Sequence, residues 1–513
     1  MRRAGVLAPV FSLPGPFGVG DFGACTREFI DSLSESRVRI WQVLPLNPMG
    51  LGHSPYQSYA SEAGETIYID LVSLYEEGLL ASCPEPFMAD SEHADYEAVR
   101  EYKERFFREA FANFTPDADY EVFAAQPWVY RYAVFKVLKD HFGELSWNEW
   151  PEEYRNWIRD EKCDLSAFSE AIRYEMFLQY EFFVQWKRVK DYANSKGILI
   201  MGDIPFYVGQ DSLDVWMNQE EFLLDSEGYP SFVAGVPPDY FSADGQRWGN
   251  PIYDWKHMEE NDFAFWRNRL LYTARLYDMI RIDHFRAFDT YWKIPAESPT
   301  AINGEWLEAP GYKFFDRLLP ELPGTEIVAE DLGSMRPEVY MLRDYYHFPG
   351  MNVLQFTLLD PGFKQKENMI VYTGTHDNDT ALGWYRSLSE GDRERVWNVI
   401  LRAELLRKGL VREEQQPGQA ENVPDKAASE ELKIPEEDEL MFPAALMRHA
   451  LMSDMETCII PWQDILQLGS EARINTPGVV SPKNWTAKMN SLSEFRRAMK
   501  YFKEAIKQAG RQS

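Results

Sequence analysis

Cysteine is scarce in this chain, and basic residues are outnumbered by acidic ones. Only 4 of the 513 residues are cysteine, at positions 25, 83, 163 and 458, and none forms a Cys-x-x-Cys pair. This spacing argues against a disulfide framework and a sulfur-ligated metal, and it favours the reduced thiols of a cytosolic protein. The 53 Lys and Arg residues face 82 Asp and Glu residues, a formal charge of -29, which opposes binding to nucleic acid.

Long hydrophobic runs are also missing. No uninterrupted apolar run reaches the roughly 20 residues of a membrane-spanning helix. The apolar N-terminal stretch is broken by Pro9 and leads into a loop rich in Gly and Pro, which makes it a poor signal peptide. We therefore expect a cytoplasmic protein with no membrane contact, and its charge suits a neutral ligand better than an anionic one.

Eight short apolar runs have the composition of β-strands. They lie at 40–46, 66–71, 198–206, 279–285, 326–332, 351–356, 370–375 and 457–462. Helical patterns separate most of them, and alternating strands and helices predict a parallel sheet. Eight such units favour an α/β fold of the (β/α)8 TIM-barrel type, with 1–513 forming one catalytic unit. An open doubly wound sheet is the alternative.

Two segments do not fit this alternation, and a C-terminal tail that we expect to pack on the barrel exterior follows it. Residues 72–195 are too long for an ordinary connection and mostly helical by pattern, so we expect a helical insertion that forms a subdomain near the barrel mouth. Residues 412–438 are polar and acidic and predict a mobile surface insertion. Residues 491–513 begin with a capping box, Ser491 and Glu494, and predict a C-terminal helix.

Three acidic residues each follow one of the short apolar runs. They are Asp283, Glu330 and Asp377. Cleavage of an acetal near neutral pH uses one carboxylate that attacks or stabilises the sugar cation and one carboxylic acid that protonates the departing oxygen. Acids delivered from the ends of separate strands are therefore what a glycosidic-bond site requires.

The neighbours of these acids support the same chemistry and leave alternatives open. Strand alternation places Arg281 and Asp283 on one face, where the guanidinium would keep the carboxylate ionised, although a structural ion pair would look the same. Apolar residues precede Glu330 and an acidic residue follows it, which favours the protonated form of Glu330, but a helix N-cap is the alternative. His376 and Asp377 suit hydrogen bonds to sugar hydroxyls, with a metal site as the competing interpretation.

Several longer motifs are specific to one family. They include Ser-Leu-Pro-Gly-Pro-Phe-Gly-Val-Gly-Asp at 12–21, Gly-Asp-Ile-Pro at 202–205, Ala-Gly-Val-Pro-Pro-Asp-Tyr-Phe-Ser at 234–242, Arg-Ile-Asp-His-Phe-Arg at 281–286, and Gly-Ser-Glu-Ala-Arg-Ile-Asn-Thr-Pro-Gly at 469–478. With these motifs the chain resembles the 4-alpha-glucanotransferase family, also called amylomaltases or disproportionating enzymes. The resemblance extends over almost the whole length.

The resemblance implies a role for each matching residue. Asp283 matches the nucleophile, Glu330 matches the general acid/base, and Asp377 matches the acid that binds the hydroxyls of the sugar ring. The implied substrate-binding residues are Ser54, Tyr56, Asp203, Gln246, Trp248, Arg281, His376 and Asn475. Neither a cofactor nor a metal is implied.

The implied activity is transfer of an α-1,4-glucan segment from a donor to the 4-hydroxyl of an acceptor glucan, by a retaining double displacement. Such a mechanism places the two catalytic carboxyls about 5 to 5.5 Å apart. An α-amylase-like hydrolase and a glucan-binding protein without chemistry are the alternatives. The chain departs from the family pattern at His53, at Glu65 and Thr66, and at Thr486 and Ala487. None of these departures removes a catalytic acid; they concern chain-length preference and the acceptor subsites.

Overall fold

The protein is described here by a computed structural model that covers residues 2–89, 91–238, 242–360, 362–363, 368–409, 434 and 437–511. The strands of this part of the chain are β1 Arg3–Leu7, β2 Ile40–Gln42, β3 Leu199–Ile204, β4 Phe232–Val236, β5 Gln246–Pro251, β6 Met279–Ile282, β7 Thr290–Pro295, β8 Glu305–Glu308, β9 Glu326–Ala329, β10 Gly350–Val353, β11 Met369–Tyr372 and β12 Thr457–Pro461.

The α-helices are α1 Ala24–Glu35, α2 Leu71–Glu76, α3 Tyr96–Asn113, α4 Ala118–Ala124, α5 Pro127–His141, α6 Glu152–Arg155, α7 Trp157–Asp160, α8 Ser169–Ser195, α9 Leu213–Met217, α10 Trp255–Glu260, α11 Ala264–Leu276, α12 Gly311–Leu318, α13 Pro337–Tyr345, α14 Leu354–Thr357, α15 Ala381–Ser387, α16 Glu390–Arg407, α17 Asp438–Met452, α18 Trp462–Ile465 and α19 Leu492–Gln508. Short 3-10 helices lie at Val10–Ser12, Leu51–His53, Thr66–Tyr68, Trp147–Glu149, Ser166–Phe168, Gln219–Glu221, Phe285–Phe288, Leu319–Glu321 and Ser470–Ala472.

Eight parallel strands form the central sheet, in the order β10-β11-β12-β1-β2-β3-β6-β9. The two ends of this order meet, because the backbone N–H of Ala329 in β9 donates to the carbonyl of Pro349 just before β10, at 2.9 Å. Most strand residues are buried, as is typical of parallel strands covered by helices on the outside. The (β/α)8 prediction is therefore confirmed, and the open-sheet alternative is not.

One of the eight predicted strands is wrong, and one barrel strand was missed. Residues 66–71 form the 3-10 helix Thr66–Tyr68, with Glu65 as its N-cap, followed by Asp70 as the N-cap of α2. The apolar residues here are buried, but they belong to capped helical turns and not to a strand. The missing strand is β1, whose Gly5 weakens the strand pattern; a Cβ at Gly5 would lie 2.9 Å from the Ile459 side chain, so close strand packing requires glycine.

A second, antiparallel sheet lies outside the barrel, in the order β5-β4-β7-β8, and the sequence pattern did not predict it. The sheet matters for the site because β5 carries Gln246 and Trp248, two of the predicted substrate-binding residues.

The two inserted segments and the C-terminal tail have different outcomes. Residues 72–195 are largely helical, and the last helix, α8, packs on the barrel through Trp186, whose ring lies 6.4 Å from that of Trp41 in β2. A separate subdomain there remains a prediction. Most of 412–438 lies outside the described residues. At the C-terminus α19 is present and packs on α1, with the rings of Phe495 and Phe29 5.1 Å apart. Among the described helices, none is long and apolar enough to cross a membrane.

Candidate active site

Three of the predicted site residues lie at the carboxyl ends of barrel strands. Asp203 is the second-to-last residue of β3, Asp283 directly follows β6, and Glu330 directly follows β9. Strand pairing continues past these ends, since the N–H of Asp283 donates to Ile204 and that of Glu330 to Ile282, both at 3.0 Å. Parallel strands therefore bring the three carboxyl groups to the same edge of the barrel, which is where (β/α)8 enzymes have their active sites.

Arg281 is the centre of a buried ion network. Its Nη1 donates to both oxygens of Asp203, at 2.9 and 2.7 Å, and lies 3.1 Å from Oδ1 of Asp283. The Tyr56 hydroxyl donates to the same Asp203 carboxylate at 2.7 Å. Burial lowers the pKa of Arg281, but the two aspartates outweigh burial and raise this pKa well above its ordinary value. The guanidinium therefore stays charged and forms an ion pair with Asp283 as well as with Asp203.

Glu330 is held differently. Its Oε2 accepts the backbone N–H of His284 at 2.8 Å. Burial raises the pKa of Glu330 to about 8; Arg281 opposes this increase, and Asp283 adds to it. Glu330 is therefore mostly protonated near neutral pH. No helix N-cap is involved, because the next helix, α13, begins at Pro337.

Asp377 lies in a third, hydrogen-bonded environment after β11. Asn475 Nδ2 donates to Asp377 Oδ1 at 2.6 Å, and His376 Nε2 lies 3.4 Å from Oδ2. Burial raises the pKa of Asp377, but His376 and Asn475 together lower it to about 2. With 44% of its side chain exposed, Asp377 is an ionised acceptor that faces the opening. The His376 ring is stacked on Tyr56, with centroids 5.0 Å apart and an interplanar angle of 16°.

The remaining predicted residues lie around this centre. The Trp248 ring makes an edge contact with His284, at 4.9 Å between centroids, and its Nε1 donates to Gln246 Oε1 at 3.2 Å. Ser54 Oγ accepts the N–H of Tyr56 at 3.3 Å and so shapes the turn that presents this ring. All the residues that we proposed from the sequence are thus found in the network or next to it, and their roles remain predictions.

Residue-level reasoning missed His284 and Trp485. His284 has φ +49, and burial lowers its pKa to about 4, so the imidazole is neutral near pH 7. Its Nε2 is buried without a hydrogen-bond partner among the described residues. The Trp485 ring lies 5.7 Å from that of Tyr56. His284 directly follows Asp283, and this position was the only signal in the sequence that pointed to it.

The competing metal interpretation has no support in the described part of the chain, where no group of three or more His, Cys, Asp or Glu residues could hold a metal ion. That the protein needs no metal remains a prediction.

The barrel mouth thus contains an arginine-bound aspartate, a protonated glutamate and a third, ionised acid. These are the groups that an enzyme acting on glycosidic bonds needs, and a (β/α)8 barrel presents them at the usual place. The comparisons with known proteins agree. The 4-alpha-glucanotransferase family model matches residues 8–493. The 4-alpha-glucanotransferase of Thermus thermophilus is 40% identical and covers 94% of each chain. That of Streptococcus pneumoniae is 38% identical and covers 95% of this chain and 93% of its own.

A solved structure, the amylomaltase from Streptococcus agalactiae in complex with acarbose, has a TM-score of 0.87 at 32% identity and covers 100% of both chains. The chain belongs to the 4-alpha-glucanotransferase family, and the resemblance found in its motifs is confirmed.

Proposed function

We propose that this enzyme transfers an α-1,4-glucan segment from a donor to the 4-hydroxyl of an acceptor glucan, with retention at the anomeric carbon. The observation that carries the proposal is the contrast between two acids on adjacent strands. Asp283 forms an ion pair with Arg281 at 3.1 Å, whereas burial raises the pKa of Glu330 to about 8. A nucleophile and a general acid need this division of protonation states.

In the first half-reaction, the Asp283 carboxylate attacks the anomeric carbon of the donor. The bond between that carbon and the glycosidic oxygen breaks, and Glu330 gives its proton to the departing oxygen. The product is a glycosyl ester of Asp283 and a shortened glucan. In the second half-reaction, Glu330 takes the proton of the acceptor 4-hydroxyl, the new glycosidic bond forms, and the ester bond to Asp283 breaks.

Asp377 and its partners bind the sugar ring in this proposal. Asn475 occupies Oδ1 of Asp377, so Oδ2 is oriented and ionised to accept hydrogen bonds from ring hydroxyls. Such bonds strengthen as charge develops on the ring in the transition state. Tyr56, stacked on His376, and Trp248, at the edge of His284, provide aromatic faces on two sides of the acids.

The main alternative is hydrolysis by the same acids, because exclusion of water depends on how loops close over the sugar. Incubation with maltotriose separates the two activities. Transfer yields glucose and longer oligomers at a constant total of reducing ends, whereas hydrolysis increases that total in step with bond cleavage. The control is Asp283→Ala, which should retain glucan binding and lose both activities; an Ala variant as active as the parent contradicts the nucleophile assignment.

A cytoplasmic location is a prediction from the few unpaired cysteines and is tested by fractionating the producing cells.

A further inference from the structure

Two residues one turn apart at the start of α3, Tyr96 and Arg100, contact two loops of the active site. Residues four apart lie on the same face of a helix, so both contacts come from one surface. The Tyr96 hydroxyl donates to the carbonyl of Trp485 at 2.5 Å, and its ring lies 4.7 Å from the His53 ring. Arg100 Nη2 donates to Glu65 Oε2 at 2.9 Å. α3 belongs to the 72–195 segment, so these contacts connect that segment to the site.

Glu65 transmits the Arg100 contact to the loop that carries Tyr56. Oε2 of Glu65 also accepts the N–H of Met49 at 2.9 Å, and Oε1 accepts the N–H of Ile67 at 3.2 Å. Glu65 is only 4% exposed, so its carboxylate depends on these donors in place of water. One buried carboxylate thus joins Arg100 to the base of the loop that we call the 47–57 loop.

The 47–57 loop is closed at its base and reaches the acids at its tip. At the base, Asn47 Nδ2 donates to the carbonyls of Ser61 and Ala63, at 2.8 and 3.0 Å. At the tip, Tyr56 donates to Asp203 at 2.7 Å and stacks on His376. A shift of the loop would therefore move the aromatic wall of the sugar site. It would leave Asp283 and Glu330 in place, because β6 and β9 position them.

We propose that Arg100, through its ion pair with Glu65, is a positioning residue that holds the 47–57 loop, and with it Tyr56, in the shape that binds glucan. The inference rests on the proposed function. It assigns to the 72–195 segment a specific task, which is to order one wall of the sugar site. Because Tyr56 contacts Asp203 and His376 and neither of the two reacting carboxyls, disorder of the loop should weaken substrate binding more than turnover.

The test compares Arg100→Ala with a matched variant of the same helix, Arg108→Ala. Arg108 pairs with Glu104 at 2.7 Å, both side chains are about half exposed, and neither contacts the 47–57 loop. The measurements are KM and kcat for maltotriose disproportionation, and the Kd of maltoheptaose by calorimetry in a Glu330→Gln background, in which turnover is strongly reduced. Loss of a charge-assisted hydrogen bond corresponds to about a tenfold change in an equilibrium constant.

We expect Arg100→Ala to raise KM and Kd about tenfold with kcat within about threefold of the parent. Arg100→Lys, which keeps a cation near Glu65, should recover at least half of the loss on a logarithmic scale, and Arg108→Ala should stay within about twofold. If Arg100→Ala does not fold, Arg100→Gln replaces it, and the same rise in KM is expected.

Three results would overturn the inference: an unchanged KM and Kd in the Arg100 variant, a loss confined to kcat, or an equal rise in Arg108→Ala. A parent enzyme that does not disproportionate maltotriose would defeat the proposed function and leave the maltoheptaose comparison valid. Equal affinities in an active parent and its Arg100 variant would defeat this inference alone.

Discussion

The protonation state of Glu330 gives the sharpest prediction for this enzyme. With a pKa of about 8, Glu330 is roughly 90% protonated at pH 7. A glutamate with the ordinary pKa of about 4.3 would be protonated to about 0.2%. Burial therefore provides several hundred times more of the general acid at neutral pH. We expect kcat/KM for maltotriose to stay constant until about pH 8 and then to fall about tenfold per pH unit, as Glu330 loses its proton.

Glu330→Gln tests whether this group causes the alkaline decline. The amide cannot donate a proton, so kcat should fall about 10²- to 10⁴-fold and the decline above pH 8 should disappear. The carboxyl accepts two backbone hydrogen bonds, from His284 at 2.8 Å and from Leu332 at 3.3 Å. The amide oxygen of Gln can keep the shorter one, so the fold is expected to persist.

A donor with a good leaving group, such as a glucosyl fluoride, separates the proton from other roles of the side chain. Because fluoride needs no protonation to depart, the Gln variant should form the glycosyl ester from this donor at a rate much closer to that of the parent. Mass spectrometry of the trapped ester measures the first step alone. The reasoning is refuted if the parent profile is flat from pH 7 to 9.5, or if Glu330→Gln retains a decline near pH 8.

Three further predictions concern the ionised acid, the C-terminal helix and stability. Asn475→Ala removes the 2.6 Å hydrogen bond that helps to lower the pKa of Asp377, so we expect kcat to fall roughly tenfold, as measured by maltotriose turnover, and an unchanged kcat contradicts this. Phe495→Ala should reduce the free energy of unfolding by about 3 to 5 kcal/mol in urea, because Phe495 is fully buried. The control, Tyr501→Ala on the same helix, is 78% exposed and should change stability by less than about 0.5 kcal/mol. The third prediction concerns Glu330, whose pKa is raised in the folded state. The contribution of the neutral side chain to the free energy of unfolding is fully present at low pH and is lost as the pH rises through about 8. Glu330→Gln should therefore gain stability relative to the parent as the pH rises from about 4.5 to about 8. A difference in urea midpoints that stays constant across that range would show that the pKa is not raised.

The barrel could be predicted from the sequence because buried parallel strands leave a strong local signal. β6, for example, is a run of four buried residues, Met279–Ile282. The two errors have a common physical cause. A short apolar run indicates that its residues are buried but not which secondary structure they form, so the capped turns at 66–71 resembled a strand. β1 did not resemble one, because its close packing needs Gly5.

In the site, too, some features follow from the strands and others depend on the loops. Asp283 and Glu330 could be predicted because each follows a strand directly, and adjacent parallel strands bring such positions together whatever the loops do. The neutral state of His284, by contrast, comes from burial by Trp248 and other side chains distant in sequence, and no local pattern contains that information. The difference between Asp283 and Glu330 also arises from tertiary structure. Both lie near Arg281, but its Nη1 is 3.1 Å from Asp283, whereas burial outweighs its effect on Glu330. The sequence can therefore indicate which residues take part in the chemistry, but the acid and the nucleophile become distinct only through the way the folded chain excludes water from one carboxyl and pairs the other with a cation.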